Sequence, residues 1–456
     1  MSVTRVLVAN RGEIAVRIIR ACQGLGLETV LAMSEADRDS LGASLADRAI
    51  CIGPASAKES YLRPEKLVAA ALGTGCDALH PGYGFLAESP ELAQLCADSD
   101  ITFVGPRPEQ IRRMGNKIEA RALAEELGVP TLPGSRKVAT YDEAKTVVDE
   151  IGLPVMMKAA AGGGGRGMKI VGKYEDLAPQ LARASAEAGA AFGDSTLYLE
   201  KYIPNARHIE VQIIADSHGN LVHLGERDCS LQRRHQKMVE EAPAPNLAEA
   251  LRSGIHKAAV QLAAGFGYQN AGTVEFIVDQ DEQRFYFLEM NTRIQVEHPV
   301  TEMITGIDLV EEQLRVAHGD RLSFTQEDII FRGHAIECRI NAEQPEAGFR
   351  PSPGRIRTWV PPQSSYIRID SHCRQDYQVP IYYDSMLGKL IVYGTDRANA
   401  IERMKRAIDR FSIEGVETTL RFQHFLLSQS EFANGTMTTT LIDRLLATAP
   451  DKGTNA

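Results

Sequence analysis

Polar and apolar positions along the first hundred residues alternate between two textures. "RVLVAN" is a continuous apolar run, and a helical apolar period follows from Glu13 to Gln23, with Gly24 just beyond it. "ETVLAMS", "RAICIG", "DALHPG" and "ITFVGP" are further short apolar runs bounded by turn residues. Such runs, separated by helices, predict a parallel sheet covered on both faces. The first turn, "ANRGEIA", holds one glycine, so this Rossmann-like half lacks a dinucleotide fingerprint where that fold would carry it.

From about Lys117 the texture changes. "TYDEAKTVVDEIG" and "YEDLAPQLARASAEAGAAFG" have amphipathic helical periods, beside the strand patterns "VMMKA", "MKIV" and "LYLEKYI". They predict a compact α+β unit over residues 131–203. A strand-rich stretch follows: "HIEVQIIAD", "LVHLGERD", "GTVEFIVD" and "FYFLEMN". Beyond about 331 come "HAIECRINAE", "GRIRTWV", "YIRID" and "LGKLIVYG", then a helix in "RANAIERMKRAIDRF". The chain therefore reads as an α/β and α+β multidomain protein with segments 1–114, 115–330 and 331–447, and no repeat or long linker.

Composition narrows the class. A length of 456 residues suits about three domains, and 44% hydrophobic with 24% charged residues is ordinary for a globular chain. A net charge of −10 argues against a nucleic-acid surface. No apolar run approaches the roughly 18 residues of a membrane span, and "MSVTRVLVAN" lacks a signal-peptide core, so a cytoplasmic location is the default reading. Seven dispersed cysteines without a C-x-x-C pair fit neither a zinc site nor a disulfide framework.

The chemistry starts at "PVMMKAAAGGGGRGMKIV". Gly162, Gly164 and Gly167 satisfy G-x-G-x-x-G, yet "MKIVG" after them is a strand pattern and not a helix start. The dinucleotide reading fails on context. A P-loop fails on residues, because Met168 stands where Lys followed by Ser or Thr is required. What remains is a glycine hairpin whose bare amides can close over phosphate oxygens, with Lys158 at its base, or else simply a long hairpin loop.

"YFLEMNTRIQVEHP" spaces Glu289, Asn291, Arg293, Gln295 and Glu297 two residues apart, so an extended chain would turn all five to one face. Glu275 stands alone in apolar "GTVEFIV", predicted to pair alongside. Two carboxylates and an amide oxygen suit Mg²⁺; the plainer account is a solvated strand face. "ERDCSLQRRHQKMVEEAPAP" carries Arg227, Gln232, His235 and Lys237, either as an exposed charged loop or as a lid supplying cations to a phosphate. Arg339 alternates with Glu337. "HPGYGFLAES" is a turn-rich loop after a strand, where α/β sheets place ligands.

"KAAAGGGGRGMKIV", "ERDCSLQRRHQKMVEEAPAP", "EMNTRIQVEHPVTE", "HAIECRINAE", "HPGYGFLAES" and "PIYYDSMLGKLIVYG" together closely resemble the biotin carboxylase family of the ATP-grasp superfamily, nearly end to end. The resemblance implies a Rossmann-like N-terminal domain, an ATP-grasp domain with a mobile lid, and a mixed α+β C-terminal domain. It implies that MgATP (or the Mn²⁺ form), bicarbonate and biotin give carboxybiotin, ADP and phosphate. Lys117 and Lys158 match lysines on the ATP phosphates, and the Gly164 and Gly165 amides match the closing flap. Glu200, Lys201 and Ile203 match the adenine hinge, with His208, Gln232 and His235 on the nucleotide. Glu275, Glu289 and Asn291 match metal ligands. Lys237, Arg293, Gln295 and the Val296 backbone resemble the bicarbonate pocket, Glu297 the general base, and Arg339 the residue facing the biotin ureido oxygen. Tyr83 and Gly84 would line the biotin side. No Met-Lys-Met carrier hairpin is present, so biotin is expected on a separate carrier protein with separate carboxyltransferase subunits, acetyl-CoA being the first candidate acceptor. Pyruvate and 2-oxoglutarate carboxylases are the alternatives. A homodimer is implied by the family. Asn116 stands where the family commonly has Asp, and Arg421 where Pro is more usual. Another ATP-grasp ligase would share the glycine hairpin and metal set but would not need Arg339 or Tyr83.

Overall fold

A computed structural model describes residues 3–135, 137–159 and 168–448. Strands β1 (Arg5–Val8), β2 (Glu28–Ser34), β3 (Arg48–Gly53), β4 (Ala78–His80) and β5 (Thr102–Phe103) form an all-parallel sheet in the order β3-β2-β1-β4-β5. Alternate residues of β1 feed two cores. Val6 and Val8 pack with Ile14, Ile18 and Leu314, whereas Leu7 packs with Leu67 and Leu92. Both faces are therefore buried, which is why these strands read as unbroken apolar runs. The strand order reverses between β1 and β4, and α/β sheets open a crevice at such a point. There Asn10 Nδ2 donates to Pro81 O at 2.7 Å and to Tyr83 O at 2.8 Å, tying the 81–89 loop to the start of helix Gly12–Gly24.

Strands β6 (Val155–Ala159), β7 (Lys169–Val171) and β8 (Leu197–Lys201) form a small antiparallel sheet, order β7-β6-β8, backed by helices Tyr141–Ile151 and Leu177–Phe192. Thr140 and Glu143 make a reciprocal capping box that starts the first helix. Val148, Val155, Met157, Leu181 and Leu197 give this unit a core of its own. The pairing of Val155 with Val171 bears out the strand–glycines–strand reading. Gly162–Gly167 themselves, Gly164 and Gly165 included, lie outside the described residues.

The largest sheet is antiparallel throughout. It contains β9 (Ala206–Ala215), β10 (Leu221–Arg233), β11 (Gln236–Ala242), β12 (Asn270–Asp279), β13 (Arg284–Asn291) and β14 (His334–Asn341). Its order is β13-β12-β9-β10-β11-β14, continued by strands Met386–Gly394 and Ile367–Ser371. It runs unbroken across residue 330, so one sheet serves the second and third segments. Two expectations are corrected here. "ERDCSLQRRHQKM" is neither loop nor lid but the β10–β11 hairpin, closed by Arg234 (φ 48°) and His235 (φ 65°) in the positive-φ geometry of a two-residue turn. "GRIRTWV" is split into two short strands, Gly354–Arg355 and Thr358–Val360, on different ribbons. Among the described residues no helix is long and apolar enough to cross a membrane.

Candidate active site

Register on the large sheet lines up an acidic row. Glu289 on β13 faces Glu275 on β12, Glu275 faces Glu210 on β9, and Glu210 faces Arg227 on β10. Residues directly opposite share a face, so the four side chains stand side by side. Arg227 is fully buried; its Nε donates to Glu210 Oε1 at 2.6 Å, and its Nη groups reach Gln212, Thr301 and Thr273 at 2.8, 3.0 and 3.2 Å. Lys237, rising from β11, binds three carboxylates through Nζ: Glu210 at 2.5 Å, Glu297 at 2.6 Å and Glu275 at 3.0 Å. Burial disfavours its charge, but Glu210, Glu275 and Glu297 outweigh that and hold the ammonium well above its ordinary value. Glu275 also lies 3.1 Å from His208 Nε2. Burial opposes its ionisation, yet Lys237 and His208 keep it below the usual carboxylate range.

The 289–297 segment behaves differently from a continued strand. β13 ends at Asn291; residues 292–297 bend and turn into helix His298–Thr305, which Pro299 opens. The one-face argument from an extended chain therefore holds for Glu289 and Asn291 and fails beyond them. The side chains converge nonetheless, through tertiary contacts. Asn291 Nδ2 and Gln295 Nε2 donate to Glu275 Oε1 at 2.9 and 3.1 Å. Arg293 reaches Glu88 Oε2 at 2.9 Å, Gln295 Oε1 at 3.0 Å and Asn291 Oδ1 at 3.2 Å. Glu297 is wholly buried between Lys237 and Arg339, whose Nη2 lies 3.0 Å away. Burial would raise its pKa, but Lys237, Arg339 and Arg227 hold it well below the usual range. Arg339 is also gripped at Nε by Glu240, at 2.6 Å.

Two further groups join this pocket to the N-terminal sheet. Lys389 donates to the Val296 carbonyl at 2.8 Å and lies 3.1 Å from Glu13 Oε1. Tyr83 donates its hydroxyl to the same Glu13 oxygen, and Gly84 beside it adopts φ 70°. On the other flank, Lys117 pairs with Glu289 at 3.0 Å, and Lys158 with Glu200 at 2.5 Å. Arg121 takes the second Glu200 oxygen at 2.8 Å. Lys201 spends its ammonium on the Gly152 and Leu153 carbonyls, at 3.3 and 3.1 Å, where it caps the end of helix Tyr141–Ile151. Gln232 faces Lys237 in register, His235 stands exposed in the hairpin turn, and Ile203 follows β8.

Ion pairs, hydrogen bonds and register thus gather Lys117, His208, Gln232, Lys237, Glu275, Glu289, Asn291, Arg293, Gln295, Glu297 and Arg339 in one cleft. Lys158 and Glu200 pair with each other on its flank, Lys201 turns to a helix end, and Gly164 and Gly165 are not described. Glu210, Glu240, Glu88, Arg121, Glu13 and Lys389 were not anticipated there. A signal for the first existed: in "HIEVQ", His208, Glu210 and Gln212 are polar at every second position of a strand whose residues are all buried. Chemically, the cleft offers hard oxygen donors from Glu275, Glu289 and Asn291, several cations for phosphate or a small anion, and a buried ionised carboxylate that can take a proton.

A parallel sheet, a small three-stranded antiparallel unit backed by two helices, and an acid-lined antiparallel sheet define an ATP-grasp ligase architecture. Residues 116–325 match the family model described as carbamoyl-phosphate synthase L chain, ATP binding domain. Residues 2–111 match the biotin carboxylase N-terminal domain and residues 337–444 the biotin carboxylase C-terminal domain. A biotin carboxylase of Nostoc sp. is 53% identical over 98% of this chain and 100% of its own. Among solved structures, a biotin carboxylase–β,γ-ATP complex from Campylobacter jejuni superposes with a TM-score of 0.94 at 48% identity, covering 97% of this chain and 99% of that one. The biotin carboxylase domain of a Hydrogenobacter thermophilus 2-oxoglutarate carboxylase, a dimer in complex with MgADP, ADP and bicarbonate, gives 0.93 at 46% identity, covering 97% and 98%. The chain belongs to the biotin carboxylase family and is an enzyme.

Proposed function

We propose that this enzyme uses MgATP to activate bicarbonate and transfers the carboxyl group to biotin on a separate carrier protein, from which a separate carboxyltransferase takes it. The observation that carries the reading is the buried Glu297 carboxylate, held ionised between Lys237 and Arg339 at the end of the Arg293–Gln295–Val296 segment. Bicarbonate is a poor nucleophile, so a positioned carboxylate must remove its proton as it attacks the γ-phosphoryl group. An oxygen of Glu297 takes that proton, while Lys237, Arg293, Gln295 and the Val296 backbone hold the anion. Lys117 and Lys158 exchange their present carboxylate partners, Glu289 and Glu200, for phosphate oxygens. The adenine lies at 200–203, with His208, Gln232 and His235 along the nucleotide. The donor set of Glu275, Glu289 and Asn291 fits a hard divalent cation, which when bound supplies positive charge to the phosphates. Arg339 faces the biotin ureido oxygen and stabilises its developing charge by charge-assisted hydrogen bonds; Tyr83 and Gly84 line that side. The 131–203 unit works as the lid that keeps water from the labile carboxyphosphate, and the family resemblance assigns the closing amides to Gly164 and Gly165.

Acetyl-CoA is the acceptor we favour, with pyruvate and 2-oxoglutarate the alternatives, and a homodimer is the assembly the relatives support. ADP release that requires bicarbonate and rises with free biotin tests the first half-reaction. Turnover indifferent to bicarbonate would refute it in favour of another acyl-phosphate ligase. Co-purification of the native carrier and transferase subunits identifies the acceptor.

A further inference from the structure

Behind Arg339 lies a carboxyl pair that the reaction as described does not use. Glu240 on β11 and Glu337 on β14 are directly opposite in register, and both are wholly buried. Residues so paired keep their Cβ atoms about 5 Å apart, within reach of a carboxyl–carboxyl contact. Glu240 spends Oε1 on Arg339 Nε at 2.6 Å. Its Oε2, and both oxygens of Glu337, are buried without a hydrogen-bond partner among the described residues. The nearest cation on the neighbouring strand, Lys389, is committed to the Val296 carbonyl and to Glu13.

Two ionised carboxylates cannot share such a position. An unpaired buried anion is too costly, and a second one beside it makes it worse, so one of the two must carry a proton. Arg339 decides which. Its guanidinium hydrogen-bonds Glu240 and stabilises charge there, whereas no cation hydrogen-bonds Glu337 among the described residues. We infer that Glu240 and Glu337 form a one-proton carboxyl pair in which neutral Glu337 donates to Glu240 Oε2, so that anionic Glu240 positions Arg339 for the substrate. Ionisation trends agree. Burial pushes Glu240 up to about 7, with Arg339 opposing, and pushes Glu337 well above the usual range in spite of Lys389. Glu297 and Arg339 also face Glu337, and Glu297 and Lys237 also face Glu240. The two acids are thus positioning residues, acting through Arg339. That role rests on the function proposed above, whereas the protonation pattern does not.

Infrared spectroscopy of the full chain at neutral pH reads the proton directly. The wild type is expected to show a protonated-carboxyl C=O band that disappears in both E337Q and E337L and shifts in E240Q. Biotin-dependent turnover supplies the second readout. E337L cannot donate to Glu240 and should lose about tenfold, the cost of one buried acceptor left unmade, while E337Q, whose amide still donates, should recover most of it. E240Q should lower that turnover about 100-fold, with the KM for ATP unchanged. Absence of a protonated-carboxyl band in the wild type overturns the inference, even if no variant folds. So does a band that survives both Glu337 substitutions, or an equal fall in E337Q and E337L, which would make Glu337 a counter-ion. A wild type without bicarbonate-dependent turnover would instead sink the proposed function and leave the band untouched.

Discussion

Glu297→Gln separates chemistry from architecture more cleanly than any other change in the cleft. The amide keeps the shape of the carboxylate, so no cavity opens in a site where the side chain is 0% exposed. What changes is the charge between two cations 2.6 and 3.0 Å away. A single amide oxygen can serve only one of them, and the other meets an N–H. Neither cation is orphaned, because Lys237 keeps Glu210 at 2.5 Å and Glu275 at 3.0 Å, and Arg339 keeps Glu240 at 2.6 Å. The stability loss should therefore stay near one charge-assisted hydrogen bond, about 1.5–3 kcal/mol, against roughly 5–15 kcal/mol for a folded domain. Turnover should fall far more. A general base contributes about 10²–10⁴ in rate, which is about 2.7–5.4 kcal/mol of barrier. ADP release measured with saturating bicarbonate and free biotin gives the rate, and nucleotide titration of the same preparation gives ATP affinity. The expected result is loss of bicarbonate-dependent turnover with ATP affinity within a few-fold of wild type. Turnover within tenfold of wild type would refute the assignment of Glu297 as base. A parallel collapse of ATP binding would show that its role is to hold the fold.

Two other perturbations read the surroundings of the cleft. Arg227→Met removes the fully buried cation that faces Glu210, and breaking such a pair costs about 3–5 kcal/mol; denaturant unfolding measures it, and a double-mutant cycle with Glu210→Gln should show strong coupling, whereas additive losses would refute a paired role. Burial holds His80 and His372 neutral, each lowered to about 3 from an ordinary 6.5, so the unfolded chain binds more protons than the native one between those values. Stability from these groups is full above pH 6.5 and falls as the pH drops towards 3, by up to about 1.4 kcal/mol per pH unit for each. His372→Gln should flatten that slope in melting temperature against pH, and an unchanged slope would contradict the argument.

How much of this was legible beforehand depends on how far each signal reaches along the chain. Period-two polarity in "FLEMN" is local and correctly turned Glu289 and Asn291 towards Glu275, which does lie on the adjacent strand. The same logic failed from Arg293 to Glu297, because a bend before Pro299 ends the strand. Only contacts from other elements (Glu88, Glu275, Lys237) bring those side chains back. "ERDCSLQRRHQKM" shows the converse error. Dense charge reads as exposure when its partners are out of view, yet Arg227 is neutralised by Glu210 on β9, and Asp228 by Arg207 at 2.6 Å on the same strand. Lys389 and Glu13 are nearly 380 positions apart, read from their own numbers, and meet only because the Met386–Gly394 strand extends the central sheet towards the N-terminal one. Local period finds the row of ligands; the counter-ions of the cleft are a property of the sheet.

Those counter-ions have a consequence for substrate affinity, because each cation expected to hold an anion now holds a carboxylate. Arg293 offers the clearest test. Its Nε donates to Glu88 Oε2 at 2.9 Å, and Glu88 also accepts from the Thr292 amide at 3.2 Å. Arg293 has other anchors that do not carry charge: Gln295 Oε1 at 3.0 Å, the Ile294 carbonyl at 3.2 Å and Asn291 Oδ1 at 3.2 Å. Glu88→Gln should therefore leave the guanidinium in place while removing a negative charge that competes with bicarbonate for it. The Glu88 side chain is 40% exposed, so solvent screens most of the bare Coulomb energy. What remains is about 0.5–1 kcal/mol, the scale of an exposed ion pair, or a two- to fivefold lower KM for bicarbonate. The KM for ATP should not move, since Glu88 touches none of the groups on the nucleotide flank. Bicarbonate titration of ADP release measures both. A raised KM would mean that Glu88 orients Arg293 more than it neutralises it, and an unchanged one would mean that bicarbonate does not meet Arg293 at all.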